Sequence, residues 1–140
     1  MLVAERMTKN PVTVSAGTPI PDALKLMRDK RVRRLPVIDD KGKLVGIITE
    51  TDLFKTFLEL LGGREHGVRI TLLVPEKKGI LASLTRSIAE QGGNIISLGT
   101  FLGDDPTNRQ ITVKVADAGR DHLVQVLQDI AVEITDVRVV

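Results

Sequence analysis

The chain has 140 residues, of which 42% are hydrophobic and 27% are charged, and its formal net charge is +2. This length allows one ordinary domain or two small ones, and the composition is typical of a globular protein. Cysteine is absent, which excludes disulfides and thiolate metal sites. The sequence has neither a leader peptide nor an apolar run approaching about 18 residues, so we expect a cytoplasmic protein without membrane contact.

The first half begins with the signals of a strand followed by a helix. Asn10-Pro11 predicts a turn that leads into a short strand at residues 12–14. Thr18 is then predicted to be a helix N-cap, with Pro19 at the first helical position. The buried face of this helix is predicted from apolar residues at helical spacing, namely Ile20, Ala23, Leu24 and Met27.

A hairpin and a second helix follow. Residues 35–38 predict a strand, residues 39–43 a turn, and residues 44–48 an antiparallel return strand. Thr49 would cap the next helix, which we expect to end at the Gly62-Gly63 pair. Its apolar residues recur at helical spacing, at Leu53, Phe54, Phe57, Leu58 and Leu61. The predicted order of the first half is therefore βαββα.

The strand-to-helix junction at residues 46–52, Gly-Ile-Ile-Thr-Glu-Thr-Asp, has two interpretations. In the first, Thr49 and Asp52 form a capping box and satisfy free N–H groups at the start of the helix. In the second, the positive end of the helix binds a phosphate and the carboxylate accepts hydrogen bonds from a ribose diol. The residues alone leave both interpretations open.

Residues 1–61 resemble a CBS domain, a small module that occurs in pairs and binds adenosine ligands. The resemblance is carried by Met7-Thr8, Pro11-Val12, Asp22-Ala23, residues 33–37, Gly42 and residues 46–52. It implies a site for AMP, ATP, NAD or S-adenosylmethionine, in which Thr49 contacts phosphate and Asp52 holds the ribose. The remaining nucleotide-binding residues that it implies are Arg33 and Arg34 near the phosphate, and Thr8, Pro11, Val12 and Pro36 around the adenine.

The basic residues between positions 28 and 34 have interpretations of their own. The cluster consists of Arg28, Lys30, Arg31, Arg33 and Arg34. It could be a solvated helix end whose cations complement the helix dipole. It could also be a docking patch for nucleic acid or an acidic partner, or a set of Arg forks for a nucleotide phosphate.

The resemblance also bears on oligomeric state, because CBS modules work as tandem pairs and this chain contains one copy. A lone module of about 60 residues would bury a marginal core and leave its pairing face exposed. We therefore predict a homodimer that is formed through the CBS faces, with the second half of the chain contributing as well.

The second half restarts after a short glycine-rich connection. We predict a CBS domain at residues 1–61, a linker at residues 62–67 and a second domain at residues 68–140. Residues 68–74 alternate as a strand, and the next helix, with Leu81, Leu84 and Ile88 on one face, is predicted to end at Gly92-Gly93. Together with the later alternating strands and a second amphipathic helix, this predicts the order βαββαβ, a ferredoxin-like antiparallel sheet with two helices on one face. The whole chain is thus expected to be of the α+β class.

Residues 68–140 resemble an ACT domain, the amino-acid-sensing module of many regulated metabolic proteins. The resemblance is carried by residues 74–81 and by Gly92-Gly93-Asn94-Ile95. It implies amino-acid contacts at Glu76 and Gly79, and at Asn94 and Ile95 across a dimer interface. The residues alone leave simpler interpretations, in which Gly79 lets a helix start close to a strand and Asn94 is a left-handed turn residue.

The order CBS then ACT resembles the acetoin-utilisation regulatory proteins of bacteria, which usually carry two CBS copies. No catalytic constellation, cofactor or metal cluster is predicted, since the two histidines are isolated and no serine has a neighbouring base. The sequence therefore predicts a non-enzymatic regulatory homodimer, with a ligand-free dimerisation and docking scaffold as the alternative. Nucleic-acid binding is a third hypothesis, against which the modest net charge and the absence of Trp and Tyr count.

Overall fold

The computed structural model describes residues 1–140, which fold into two compact units at Met1–Thr56 and Phe57–Val140. The first unit begins with a single 3-10 turn at Val3–Glu5. Its regular elements are β1 (Val14–Ser15), α1 (Ile20–Lys30), β2 (Arg34–Ile38), β3 (Leu44–Thr49) and the start of α2 (Glu50–Leu60). The strands form a sheet of order β1-β2-β3, in which β1 runs parallel to β2 and β3 antiparallel to it. The predicted order βαββα is confirmed.

The start of α1 differs from the prediction by one residue. Pro19, in an extended conformation, is the N-cap, and its carbonyl accepts the first helical hydrogen bond from the Ala23 N–H at 3.1 Å. The Thr18 hydroxyl caps nothing in the helix, because it instead accepts a hydrogen bond from the Ser15 N–H at 3.2 Å. Ile20 was predicted to be buried but is 42% exposed.

The core of the first unit is small. It consists of Ala23, Met27, Leu35 and Leu53, with partly buried neighbours that include Val12 and Ile48. Only Leu53 of the apolar stripe predicted on α2 is buried. The other members of that stripe are exposed, namely Phe54, Phe57, Leu58 and Leu61.

The second unit is a four-stranded antiparallel sheet with two helices packed on one face. Its elements are β4 (Val68–Pro75), α3 (Ile80–Glu90), β5 (Asn94–Leu102), β6 (Asn108–Ala116), α4 (Arg120–Gln128) and β7 (Glu133–Val139). The strand order is β5-β6-β4-β7, and every neighbouring pair is antiparallel. The predicted βαββαβ order and the α+β class are confirmed.

Strict alternation places the core of the second unit between its sheet and its helices. Every second residue of β4, from Val68 to Val74, is buried, as are Ile111, Val113 and Val115 of β6. Helix α3 contributes Ile80, Leu84 and Ile88, and α4 contributes Leu123 and Leu127. Leu81, which was predicted for the buried face of α3, is exposed, and its neighbour Ile80 is buried instead. None of the four α-helices combines the length and the apolar character needed to cross a lipid bilayer.

Both predicted Gly-Gly helix ends are confirmed. After α2, Gly62 adopts a left-handed φ of +64°, and its N–H bonds to the Glu59 carbonyl while that of Gly63 bonds to the Leu58 carbonyl. This is the double hydrogen-bonding pattern of a Schellman motif. Gly92-Gly93 ends α3 with the same two bonds. A side chain at Gly62 would be strained and would also approach Ile96 to 2.7 Å.

One buried charge holds the segment that follows α2. The Lys114 side chain on β6 is only 2% exposed and has no acidic partner. Its ammonium donates to the carbonyls of Gly62, at 2.8 Å, and of Glu65. Two carbonyl dipoles thus take the place of a counter-ion, and the connection at residues 62–65 is attached to the sheet of the second unit.

We predict that Lys114→Met destabilises the fold by about 1–3 kcal/mol, because two carbonyls lose a charged donor. The measurement is a urea titration followed by circular dichroism, which needs no Trp or Tyr. Lys78→Met, at an exposed lysine of the same unit, is the control and should change stability by less than about 0.5 kcal/mol. Equal midpoints for the two variants would contradict the prediction.

Candidate functional site

The junction between β3 and α2 is built on reciprocal hydrogen bonds between Thr49 and Asp52. The Thr49 N–H donates to Asp52 Oδ2 at 2.9 Å, and the Asp52 N–H donates to Thr49 Oγ1 at 3.2 Å. The Thr49 hydroxyl also donates its own proton to Asp52 Oδ2 at 2.8 Å. The capping-box interpretation of this pair is therefore confirmed.

The same bonds determine what this pair can offer to a ligand. The hydroxyl and the backbone N–H of Thr49 stabilise the charged carboxylate and hold the pKa of Asp52 below its usual value. Its second oxygen, Oδ1, accepts no hydrogen bond and remains available. The Thr49 hydroxyl has only one proton, and Asp52 already receives it. A phosphate could accept from this hydroxyl only by displacing Asp52.

A shallow cleft of about 420 Å³ lies at the positive end of α2. It is lined by Arg33, Arg34, Ile47, Thr49, Glu50 and Thr51. The Arg33 carbonyl accepts a hydrogen bond from the Glu50 N–H at 3.0 Å, which ties the start of β2 to the first turn of α2. The Arg33 side chain lies 3.9 Å from the Glu50 carboxylate, but both groups are exposed and this ion pair contributes little.

The cleft brings together three of the eight predicted nucleotide-binding residues: Arg33, Arg34 and Thr49. In the β2–β3 register, Arg34 pairs with Thr49 and Pro36 with Ile47, so Pro36 shares the sheet face on which the cleft lies. Thr8, Pro11, Val12 and Asp52 are not in its lining. Thr8 and Pro11 are exposed, and Val12 packs against the core of the first unit.

Three residues that line the cleft were not among the predicted nucleotide-binding residues, namely Ile47, Glu50 and Thr51. All three belong to the stretch at residues 46–52, so that stretch was the only signal for them. The Glu50 carboxylate is the most consequential of the three, because it adds a negative charge 3.9 Å from the Arg33 guanidinium.

A second cleft, of about 190 Å³, lies at the start of α3. Its lining consists of Glu76, Lys77, Gly79, Ile80, Leu81 and Arg109. Arg109 Nε donates to Glu76 Oε2 at 2.5 Å, and the guanidinium also donates to Thr100 Oγ1 at 3.3 Å. Gly79 has a left-handed φ of +84°, and a Cβ there would meet nothing within 4 Å. Glycine is therefore needed for its backbone conformation, and the predicted close approach of helix and strand is wrong.

The four predicted amino-acid-binding residues fall into two groups. Glu76 and Gly79 line this second cleft, whereas Asn94 and Ile95 do not. Asn94 is the first residue of β5, opposite Ala116, and Ile95 packs against the core. The left-handed residue of that turn is Gly92, so the interpretation of Asn94 as a left-handed residue is wrong. Arg109 was missed, because its partner Glu76 lies 33 residues earlier and only the β4–β6 register joins them.

Two family models match the chain, one in each half. The CBS domain model matches residues 3–59, and the TTHA0829-like ACT domain model matches residues 66–138. No group of three or more His, Asp or Glu side chains is arranged to hold a metal ion.

The curated relatives match the first half. A CBS domain-containing protein of Dictyostelium discoideum is 42% identical over 59 residues, which is 42% of this chain and 41% of the relative. The chloroplastic CBS domain-containing protein CBSX1 of Arabidopsis thaliana is also 42% identical over 59 residues, covering 42% of this chain and 25% of that protein. Inosine-5'-monophosphate dehydrogenase of Mycobacterium leprae is 39% identical over 69 residues, or 49% of this chain and 13% of the enzyme. The chain thus spans less than half the length of each of these relatives.

The hydrogen bonds to the Asp52 carboxylate predict how the free energy of unfolding depends on pH. Its pKa is lowered in the folded protein, so its contribution is complete above the ordinary value of 3.8 and is lost as the pH falls through the lowered pKa. We expect Asp52→Asn to unfold at lower urea concentration than the wild type at neutral pH, with the difference disappearing in strong acid.

The check is a series of urea titrations between about pH 2 and about pH 7. Asp40→Asn, at an exposed turn residue without a hydrogen-bonded carboxylate, is the control. An acid profile of Asp52→Asn that runs parallel to that of the wild type would contradict the prediction.

Proposed function

This chain belongs to the family of TTHA0829-like ACT domains and carries a CBS domain before it, and on that basis we propose a non-enzymatic regulatory protein that binds an adenosine nucleotide. Both modules are of regulatory type, and the match to a dehydrogenase covers only its CBS portion. The observation that carries the proposal is the cleft in which Arg33, Arg34 and Thr49 meet at the positive end of α2. We keep the division into residues 1–61, 62–67 and 68–140 as part of it.

The chemistry of the cleft suits a nucleotide phosphate. The helix end and two guanidinium groups supply positive charge, and Arg offers a planar fork that matches phosphate oxygens. The free Oδ1 of Asp52 can accept hydrogen bonds from a ribose diol. The adenine would then lie along the β2 face near Pro36 and towards Thr8, Pro11 and Val12, as the CBS resemblance implies. AMP, ATP, NAD and S-adenosylmethionine are the candidate ligands.

Apolar exposure in the CBS half supports a homodimer. Val45 and Ile47 of β3 and Phe54 of α2 are each more than half exposed, and the buried core of this half contains only four residues. Large apolar side chains exposed on a module with so small a core indicate a surface that another protein covers. A second copy would supply the CBS partner that this chain lacks within its own sequence.

The ACT half would integrate the nucleotide signal, either by sensing an amino acid at the cleft that contains Glu76 and Gly79 or by joining two chains. Asn94 and Ile95 would contribute from a partner chain. Regulation of this kind requires that each ligand favours one packing of the dimer over another. A role in acetoin utilisation and a cytoplasmic location remain predictions from the sequence.

One observation favours the alternative of a ligand-free scaffold. Thr49 and Asp52 satisfy each other in the absence of any ligand, so they have a complete structural role as a helix cap. In that case the exposed apolar residues and the basic cluster would serve dimerisation and docking alone.

Thermal melting against AMP, ADP, ATP, NAD and S-adenosylmethionine distinguishes the two functions. We expect one of them, at a hundredfold excess over its dissociation constant, to stabilise the wild type by about 2.7 kcal/mol, a shift of several degrees. Because Asp52 would hold the ribose, Asp52→Asn should lose the shift. No shift of the wild type with any of these ligands would favour the scaffold.

Asp22→Asn is the matched control for this experiment. Asp22 occupies the first turn of α1 just as Asp52 occupies that of α2, but it forms an exposed ion pair with Lys25, whereas Asp52 is bonded to the cleft residue Thr49. This variant should melt lower without losing the ligand-induced shift. A loss of the shift in both variants would indicate general destabilisation rather than a lost contact.

Sedimentation of the full chain tests the dimer. We expect the wild type to sediment with twice the mass of one chain, and Phe54→Asp to sediment as a monomer, because a buried charge would oppose pairing. Phe101→Asp, at an exposed phenylalanine of β5, tests whether the second unit is needed as well. A monomeric wild type would contradict the homodimer.

A further inference from the structure

Positive charge is concentrated in the short segment that ends α1 and leads into β2. Residues 28–34 hold five basic side chains and one acidic one, so this segment carries a net charge of +4, whereas the whole chain carries +2. All the other residues together are therefore acidic by two charges. The basic side chains of the segment are all exposed, and we call them the basic patch: Arg28, Lys30, Arg31, Arg33 and Arg34.

Few acidic groups of the chain neutralise the basic patch. Arg28 bonds to Asp29 at 2.8 Å, and Arg33 lies 3.9 Å from Glu50. In both pairs the arginine side chain is at least 74% exposed, so these pairs contribute little and leave the guanidinium groups accessible. The other members of the patch form no ion pair, namely Lys30, Arg31 and Arg34. The patch thus keeps most of its charge available to a partner.

The core of the first unit holds the basic side chains on the outside. Val32 packs against that core, and Leu35 is fully buried. Arg31 and Arg33 flank Val32 in the sequence. Arg34 precedes Leu35 on β2, where successive side chains point to opposite faces. The exposed positions of the arginines therefore follow from the buried residues beside them.

Arg31 occupies a backbone conformation that glycine takes at the ends of two other helices. Helices α1, α2 and α3 end with the same two hydrogen bonds, and the left-handed residue is Gly62 after α2 and Gly92 after α3. After α1 it is Arg31, with a φ of +54°. A residue with a Cβ is strained in this conformation, whereas glycine is not. The other non-glycine residues at positive φ, Asn10 and Asp117, are of types that tolerate it better. A strained residue that keeps a charge indicates function rather than stability.

We propose that the basic patch is a docking surface for a short acidic segment of a partner protein. The planar fork of a guanidinium group matches the two oxygens of a carboxylate, and four of the five cations are arginines. Arg28, Lys30 and Arg31 lie outside the lining of the first cleft. The surface therefore extends beyond the candidate nucleotide site, and its function does not require a nucleotide.

The distribution of charge favours an acidic polypeptide over the other polyanions. A long polyanion such as duplex DNA would extend beyond the patch, where the chain carries a net negative charge, whereas a short run of Asp and Glu would meet the patch alone. No Phe, Tyr or Trp lies within residues 28–34, so the patch offers no stacking platform for single-stranded bases. The longest acidic runs in this sequence are pairs, at residues 39–40 and 104–105, so a second copy does not supply a longer one.

Fluorescence anisotropy of a labelled deca-glutamate peptide, titrated with the full chain, tests the proposal. We expect the wild type to bind the peptide with an affinity that falls as salt is added, and to bind a labelled DNA duplex more weakly. Lys30→Gln combined with Arg31→Gly should bind the peptide roughly tenfold more weakly, because two unpaired cations are lost.

Arg31→Gly on its own separates binding from folding. Glycine relieves the strained backbone at this position, so the variant should melt at the temperature of the wild type or above it, while it binds the peptide roughly threefold more weakly. If the variant instead melts lower and binds as the wild type does, Arg31 serves the helix end alone and the proposal is overturned.

Lys41→Gln is the matched control, because it removes one exposed cation of the first unit from the turn between β2 and β3, outside the patch. It should bind the peptide as the wild type does. Equal binding by the double variant and the wild type, or no binding by the wild type, would overturn the proposal. Tighter binding of the duplex would overturn it in favour of nucleic acid. Loss of a dimer on sedimentation of the double variant would overturn it in favour of a second copy.

Discussion

The bond from the Thr49 hydroxyl to Asp52 is the constraint on which the first unit depends. It joins the end of β3 to the first turn of α2 and holds the pKa of the Asp52 carboxyl below its usual value. It also commits the only proton of the Thr49 hydroxyl. A ligand that accepts this proton must therefore compete with an acceptor that the protein itself supplies. A residue pair that already caps a helix can thus also bind a ligand, provided that the surrounding charges favour the ligand.

The two candidate sites follow the same design. In each, a carboxylate is held through one oxygen by a donor of the chain, Thr49 in the first unit and Arg109 in the second, and the other oxygen is free. Asp52 lies in the first turn of α2, and Glu76 lies directly after β4, in the connection that leads to α3. The difference lies in the donor. A neutral hydroxyl has one proton to share, whereas a guanidinium keeps several, so the second site can add a ligand without giving up its internal bond.

Features set by local sequence were predicted well, and features set by register were not. Both Gly-Gly helix ends and the alternating strand β4 follow from neighbouring residues, and each was predicted correctly. The start of α1 was misjudged by one residue because Pro19 is compatible with both the cap and the first helical position. Arg109 carried no local signal, since its meeting with Glu76 depends on how β4 and β6 align. In the same way, the Thr49 and Asp52 motif predicted a junction, but only the β2–β3 register shows that Arg34 pairs with Thr49.

The attachment of residues 62–65 by Lys114 has a consequence for the effect of ionic strength. Dissolved salt screens exposed charges over a distance of about 10 Å at 0.1 M, but it reaches a buried contact much less. The Lys114 ammonium is enclosed and faces carbonyl dipoles at hydrogen-bonding distance. Concentrated salt should therefore leave this attachment intact, while it weakens the electrostatic attraction between an anion and the exposed guanidinium groups of Arg33 and Arg34. At high ionic strength, residues 62–65 can thus stay attached to the sheet while the first cleft loses affinity for anions.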